Sequence, residues 1–214
     1  MTPALNSTRK TWRQAKHLAL GLVNDRRGIA AIEFAMIVPI MLVLFFGTVE
    51  FSSGVAVDRK VSLTARALSD LTSQSPAVAD ADLANFFAAT CGIMYPYAGS
   101  PCTVSNNPTA AVISELYVDP SMLQARVQWS SAYQGGVARA VDSPVTTVPS
   151  ALLIGGTYLI LSEVSFLYKP AVGYVMAKAG INLSDVAYTR PRVNSCVNYS
   201  PTAPAVPLTT CTAV

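Results

Sequence analysis

The chain has 214 residues, of which 51% are hydrophobic and 13% are charged, and its formal net charge is +3 at pH 7. This charge is unevenly divided, because residues 1–28 carry six basic residues and one acid, whereas the remainder carries nine basic and eleven acidic residues. The basic character therefore belongs to the N-terminal segment, and the rest of the chain lacks the positive balance that is typical of a nucleic-acid-binding domain.

Residues 1–28 form a basic leader. Between residues 8 and 25, apolar side chains recur at helical spacing with basic residues between them, a pattern that fits either a helix on a membrane surface or an unstructured leader. His17, the single histidine of the chain, lies here and is expected to be solvated rather than to bind a ligand. Since cytoplasmic flanks of membrane helices are rich in Lys and Arg, the leader is predicted to be cytoplasmic.

A long apolar run follows the leader. The sixteen residues from Phe34 to Val49 carry no charge, and together with residues 29–32 they supply the ~20 residues that a membrane-crossing helix needs. We therefore predict three segments, namely the leader, a transmembrane helix over residues 29–54 and one extracytoplasmic domain over residues 55–214. Pro39 lies inside the run and is predicted to bend the helix without ending it.

Glu33 is an anomaly in this run, because a carboxylate costs about 2.5 to 3.5 kcal/mol at the centre of a membrane. Cleavage of the chain after Gly28 would give the acid a partner, since the new ammonium of Ile29 would lie about one helical turn away. At ~4 Å and an effective dielectric of ~20, such a pair gains about 4 kcal/mol before desolvation. The position of Glu33 therefore predicts processing between Gly28 and Ile29.

The order of a basic leader, Gly28, four apolar or small residues, Glu33, Phe34 and an apolar helix resembles the class III signal of type IV pilins and pseudopilins. Within that class, residues 28–51 are similar to the TadE-like proteins of the Tad (tight adherence) pilus machinery. The resemblance implies a single-pass pseudopilin or minor pilin of the bacterial inner membrane, with a periplasmic domain and a role in pilus assembly and surface adherence. It further implies cleavage after Gly28 by a prepilin peptidase, with Phe34 completing the motif, and contacts with other pilins, pseudopilins and inner-membrane Tad components.

Three other interpretations of the apolar run are open. An ordinary secretory signal would place the cut near Gly54 and Ala56, but such signals have apolar regions of ~7 to 15 residues and usually lack an acid. An uncleaved, membrane-tethered module would use its domain to bind a ligand outside the inner membrane. An extracytoplasmic enzyme is the third alternative.

Beyond the run, the helix is predicted to continue to Ser73 and to pack on the domain, because an apolar stripe follows spacings of three and four while Ser69 is expected to face away. Ser75 and Pro76 should end this helix. A second helix should begin at Asp80 and pack its aromatic side on the domain. The predicted stripe consists of Val57, Val61, Ala65, Leu68 and Leu71, and the predicted aromatic side of Leu83, Phe86 and Phe87.

Strands are predicted over residues 111–118, 123–129, 157–168 and 181–190. The first two should form a hairpin, in which Leu123, Ala125, Val127 and Trp129 alternate with polar residues. A loose, polar connection is expected through Gly135 and Gly136 and through Pro144 to Pro149. A four-stranded antiparallel sheet with the N-terminal helix packed on it gives an α+β, pilin-like architecture.

The four cysteines, Cys91, Cys102, Cys196 and Cys211, all follow the predicted span, and an even number outside the cytoplasm favours disulfides. Of the three possible pairings we prefer the two that are local in sequence, Cys91 with Cys102 and Cys196 with Cys211. Each would contribute roughly 2 to 4 kcal/mol. The chain lacks a Cys-x-x-Cys spacing and carries no histidine after the leader, so no metal site is predicted.

No catalytic residue and no cofactor are predicted. The single imidazole lies in the leader, so a hydrolase triad lacks its usual base in the domain. The glycine pairs are turn signals that match no phosphate-binding pattern. The acids of the domain are scattered and are expected to be solvated or to lie at strand edges; they are Glu115, Asp119, Asp142, Glu163 and Asp185.

Overall fold

The computed structural model describes residues 28–99, 108–170 and 180–201. Residues 1–27 of the leader, which include His17, lie outside these residues, as do Cys102 and Cys211. The chain divides into two compact units, Met1–Val49 and Glu50–Val214, which are described separately below.

The first helix, α1, covers Ile29–Ser73 in 45 residues and contains Pro39. The prediction that one helix runs unbroken to Ser73 is confirmed. Its part in the second unit buries an apolar stripe, as predicted, whereas Ser69, which was predicted to face away, is fully buried. The predicted stripe repeats every 3.5 residues on average, whereas an α-helix has 3.6 residues per turn. The buried side of the helix therefore drifts around its axis and includes Ser69, Thr72 and Ser73 at the end of α1. The buried apolar residues of this stripe are Val57, Val61, Ala65 and Leu68.

The second helix, α2, covers Asp80–Met94 and follows a short strand, β1, at Ala77–Ala79. The Asp82 carboxylate accepts the Ala79 backbone N–H at 2.9 Å and so satisfies a free donor at the helix start. Phe87 is buried and stacks on Tyr133, with ring centroids 4.9 Å apart. The prediction that the aromatic side of α2 packs on the domain is confirmed.

The main sheet is antiparallel and has five strands in the order β4-β3-β2-β5-β6. The predicted hairpin is confirmed as β2 and β3, and the two later strand predictions correspond to β5 and β6. The short strand β4 lies in the segment predicted as a loose connection, where two residues carry too little pattern to be recognised. The strands are β2 Thr109–Val118, β3 Ala125–Tyr133, β4 Pro144–Val145, β5 Tyr158–Tyr168 and β6 Ile181–Thr189.

A β-bulge divides the hairpin into two halves. Glu115 pairs with Trp129 while the next residue, Leu116, pairs with Val127, so Gln128 is the extra residue on β3. An extra residue reverses which side chains face a given side of the sheet. The prediction that the apolar residues of 123–129 share one face of the sheet is therefore wrong, because Val127 and Trp129 face opposite sides. Leu123 belongs to an exposed turn, with φ of 50°, and not to the strand.

Two hydrophobic cores result, one on each face of the sheet. On one face, α1 and α2 pack against Ala111, Ile113, Trp129 and the even-numbered apolar residues of β5. On the other face, Leu116 and Val127 pack with apolar residues of the segment after β4. The α+β class is confirmed, and the long helix and the sheet share the first of these cores.

Glu115 is a buried carboxyl group that ties the C-terminal segment to the sheet, which contradicts the expectation that it is solvated or at a strand edge. Its Oε1 accepts the Val197 backbone N–H at 2.6 Å, and its Oε2 accepts the Trp129 indole N–H at 3.0 Å. The same indole N–H also donates to the Val197 carbonyl at 2.9 Å. These bonds fix the start of β7, Asn198–Ser200, which pairs in parallel with β1 in a second, two-stranded sheet that the sequence did not predict.

Burial raises the pKa of Glu115 to about 8, and the hydrogen bonds from Val197 and Trp129 lower it only in part. In the unfolded chain the carboxyl titrates near its ordinary value of 4.5. Between these two values the folded protein holds one more proton than the unfolded chain. The stabilisation from this group is therefore fully present below pH 4.5 and is lost as the pH rises through about 8.

Replacing the acid with an amide should remove this pH dependence, because the glutamine of Glu115→Gln cannot lose a proton. The free energy of unfolding of the wild type, relative to that of the variant, should fall by about 1.4 kcal/mol per pH unit between about pH 5 and 8. Guanidinium denaturation in detergent, followed by tryptophan fluorescence, measures both curves. Parallel curves for the two proteins would contradict the assignment.

Candidate functional site

The first unit contains the apolar part of α1. No residue from Ile29 to Val49 is buried, and large side chains such as Phe34 and Met36 are 69% and 71% exposed. Among the described residues, α1 is the one helix long and apolar enough to cross a membrane, judged by length and composition. Soluble proteins rarely expose so large a continuous apolar surface, so the helix suggests a membrane anchor.

The predicted processing residues lie together at the start of this helix. Gly28 directly precedes α1, and a Cβ atom added there would meet nothing within 4 Å apart from its chain neighbours. Ile29 is half exposed. Glu33 follows one helical turn later, and residues four apart lie on the same side of a helix. The backbone at Gly28 is thus open to approach, with Glu33 and the exposed Phe34 beside it.

Glu33 is the acid within this apolar surface. The ion pairs of the described residues all lie in the second unit, and none of them includes Glu33. The first basic side chain after it in the sequence is Arg59, more than six helical turns further along. In the described part of the uncut chain, then, the carboxylate has no cationic partner.

Pro39 lies inside α1, as predicted. Proline has no backbone N–H, so the Ala35 carbonyl loses its usual partner four residues later. A membrane helix tolerates such a loss where neighbouring groups replace the bond. The bend itself stays a prediction.

The cysteine predictions fall partly outside the described residues. Cys91 and Cys196 are both disulfide-bonded. Cys91 lies on α2, and Cys196 lies directly before Val197, the residue bound by Glu115. Because Cys102 and Cys211 are outside the described residues, the two preferred pairings stay predictions.

Residues 28–68 match the TadE-like protein family model. The TadE-like match begins at the predicted cleavage residue, includes Glu33, Phe34 and Pro39, and ends within the part of α1 that packs on the sheet. The resemblance stated from the sequence is confirmed over this segment. No curated protein and no solved structure shows significant similarity to the chain.

A groove lies on the face of the sheet opposite α1, beyond the TadE-like segment. It has a volume of about 670 Å³ and includes Val112, Val137, Glu163 and Asp185 in its lining. Arg139 donates to both carboxylate oxygens of Glu163, at 2.8 and 2.6 Å. The sequence treated these two acids as scattered, and both residues line the groove. Asp185 pairs with Val164, which belongs to the core on the α1 side, so its carboxylate and that of Glu163 lie on opposite faces of the sheet. No group of three possible metal ligands occurs among the described residues.

A second buried acid, Glu50, opens the second unit. It is 4% exposed, and its Oε2 accepts a hydrogen bond from the Tyr168 hydroxyl at 3.1 Å. Burial, and then the neighbouring Glu50 carboxylate, raise the pKa of Tyr168, so this hydroxyl remains a donor at neutral pH. The bond joins the first turn of the second unit to the end of β5.

Tyr168→Phe should therefore lower the free energy of unfolding by about 1 to 3 kcal/mol, because it removes a donor from a buried acid. Tyr188→Phe is the matched control, since its hydroxyl contacts the Thr147 hydroxyl at the surface, at 3.2 Å, and should cost no more than about 0.5 kcal/mol. Thermal unfolding of the two variants in detergent tests the difference. Equal losses would contradict a structural role for the bond to Glu50.

Proposed function

We propose that this protein is a pseudopilin or minor pilin of the Tad (Flp) pilus system. It would be inserted in the bacterial inner membrane, with the leader in the cytoplasm and the sheet domain in the periplasm, and would act in pilus assembly and surface adherence. The observation that carries the proposal is the TadE-like match over residues 28–68, which contains Gly28, Glu33 and Phe34 directly ahead of an exposed apolar helix.

The first step of the proposed function is cleavage between Gly28 and Ile29 by a prepilin peptidase. Gly28 has no side chain and open space around it, which favours entry of an extended backbone into a protease cleft. Since α1 begins at Ile29, the cut would remove the leader and leave the helix whole.

The new chain end then acts on Glu33. Its ammonium group would lie one turn from the carboxylate, in the same subunit, or would approach the carboxylate of a neighbouring subunit during assembly. Either pairing lowers the cost of holding the acid in an apolar setting. The acid therefore links processing to the packing of one subunit on the next.

The apolar helix would serve in two environments. In the membrane it anchors the subunit, and after withdrawal from lipid the same surface can pack against helices of other pilins, pseudopilins or Tad inner-membrane components. These roles need no catalytic residue and no cofactor, so we propose a non-enzymatic, structural function. Disulfides at Cys91 and Cys196 are consistent with a periplasmic domain.

An uncleaved, membrane-tethered binding module is the second candidate. The groove beside Glu163 and Asp185 favours it, because a concave surface on the domain offers a place for a ligand. The two candidates differ in the fate of the leader, since a module of this kind would keep residues 1–28.

Gly28→Leu should leave the protein at full length when it is expressed with the prepilin peptidase. A leucine side chain would block the approach of the backbone to the protease. The matched control is Gly92→Leu, since Gly92 also has no atom within 4 Å of an added side chain. Intact mass of the membrane-extracted protein should show loss of residues 1–28 in the wild type and the control. Normal cleavage of Gly28→Leu would contradict the assignment of the cut.

Glu33→Val separates cleavage from assembly. This variant should still lose residues 1–28, but it should yield fewer pili, because the new ammonium has no carboxylate to pair with. Counting pili by electron microscopy, with Glu33→Gln as the variant that keeps the shape and removes only the charge, measures the effect. Normal pili with Glu33→Val and Glu33→Gln would contradict the role of the acid.

A further inference from the structure

The two edges of the main sheet differ. One edge is β4, which has two residues and begins with a proline, so it offers little to a further strand. The other edge is β6, which has nine residues, and its described partner is β5 alone. Asn182, Ser184 and Val186 of β6 are exposed. A long edge of this kind presents unpaired backbone groups to which another strand can bind.

Asp185, at the centre of β6, occupies part of this edge. Its Oδ1 accepts the backbone N–H of Val186 at 2.8 Å. This N–H, held by a side chain of its own strand, is the donor that an incoming strand would use. Asp185 forms none of the ion pairs among the described residues.

The groove on the sheet adjoins the same edge. Asp185 and Val186 of β6 belong to its lining, together with Val112 of β2 and Val137, which is 83% exposed. Arg139 is engaged by both oxygens of Glu163, which neutralises that acid. The charge left over at the edge is the negative charge of Asp185.

We propose that the free edge of β6 and the adjoining groove bind an extended segment of a partner protein, with a basic side chain placed opposite Asp185. The segment would add a strand antiparallel or parallel to β6, and a strand carbonyl would take over the Val186 N–H. The carboxylate of Asp185 would then turn to the basic side chain. An apolar side chain on the alternate face of the segment would enter the groove.

A second copy of β6 fits this edge poorly. Asp185 is the middle residue of Ile181–Thr189, so symmetric antiparallel pairing of two copies would place the two carboxylates opposite each other. Like charges directly opposite destabilise a strand pair. A partner with a basic residue matches the edge instead. The inference does not depend on cleavage at Gly28.

Synthetic nine-residue peptides of alternating threonine and valine, with lysine or glutamate at the centre, test the proposal. Fluorescence anisotropy with the full-length protein in detergent should show that the lysine peptide binds roughly fivefold more tightly than the glutamate peptide. Asp185→Asn should remove this preference and keep an acceptor for the Val186 N–H. Asp142→Asn is the matched control, because Asp142 is exposed and lies outside the groove, and it should retain the preference.

Backbone methylation of the peptide separates strand addition from simple charge attraction and needs no protein variant. Of two lysine peptides, N-methylated at odd or at even positions, one should lose binding, since only alternate N–H groups face β6. Equal binding of both methylated peptides, equal affinity for lysine and glutamate, or no binding of the lysine peptide would each overturn the proposal. The protein could instead self-associate, more strongly with Asp185→Asn and without displacement by the lysine peptide. That result would assign the edge to a second copy and would also overturn the proposal.

Discussion

The structure depends on one constraint, which is that the first part of α1 presents an apolar surface carrying a single carboxylate. Residues 29–49 have no buried member, so this surface requires lipid or other helices to cover it. Glu33 requires a positive group in the same setting. In the proposed function, a new chain end at Ile29 would meet the second requirement, and insertion followed by assembly would meet the first. On this proposal, processing, anchoring and subunit packing would all use the same twenty residues.

The second unit is stabilised in a different way. Its sheet has a core on each face because β2 and β5 bury side chains on both sides, and the bulge lets β3 contribute Trp129 to one core and Val127 to the other. The Glu115 side chain binds Val197 and Trp129, and these bonds hold the residue directly before β7 against the sheet. Glu50 and Tyr168 form a comparable bond where α1 enters this unit. At the end of α1, the Ser69 hydroxyl contacts the Thr189 hydroxyl and the Ser73 carbonyl accepts the Arg192 backbone N–H. Polar groups therefore hold both ends of the part of α1 that belongs to this unit.

Sequence patterns predicted the features that depend on local periodicity. The apolar stripe from Val57 to Leu68 repeats at helical spacing, and β5 is a continuous run of strand-forming residues, so both were found. The two-residue strand β4 and the three-residue strands β1 and β7 exist through pairing with distant residues and leave no local pattern. The burial of Glu115 likewise depends on the bulge and on Val197, which is 82 residues away. The TadE-like motif is recognisable because Gly28, Glu33 and Phe34 lie within seven consecutive residues.

The N-terminal sequence of the protein, purified from the cell envelope in which it naturally occurs, tests the central claim most directly. Edman degradation should give Ile29 as the first residue, followed by two alanines, an isoleucine and Glu33. That result would place a positive chain end one turn from the acid. A sequence beginning at Met1, or at a residue beyond Ala56, would leave Glu33 without that partner and would contradict the account.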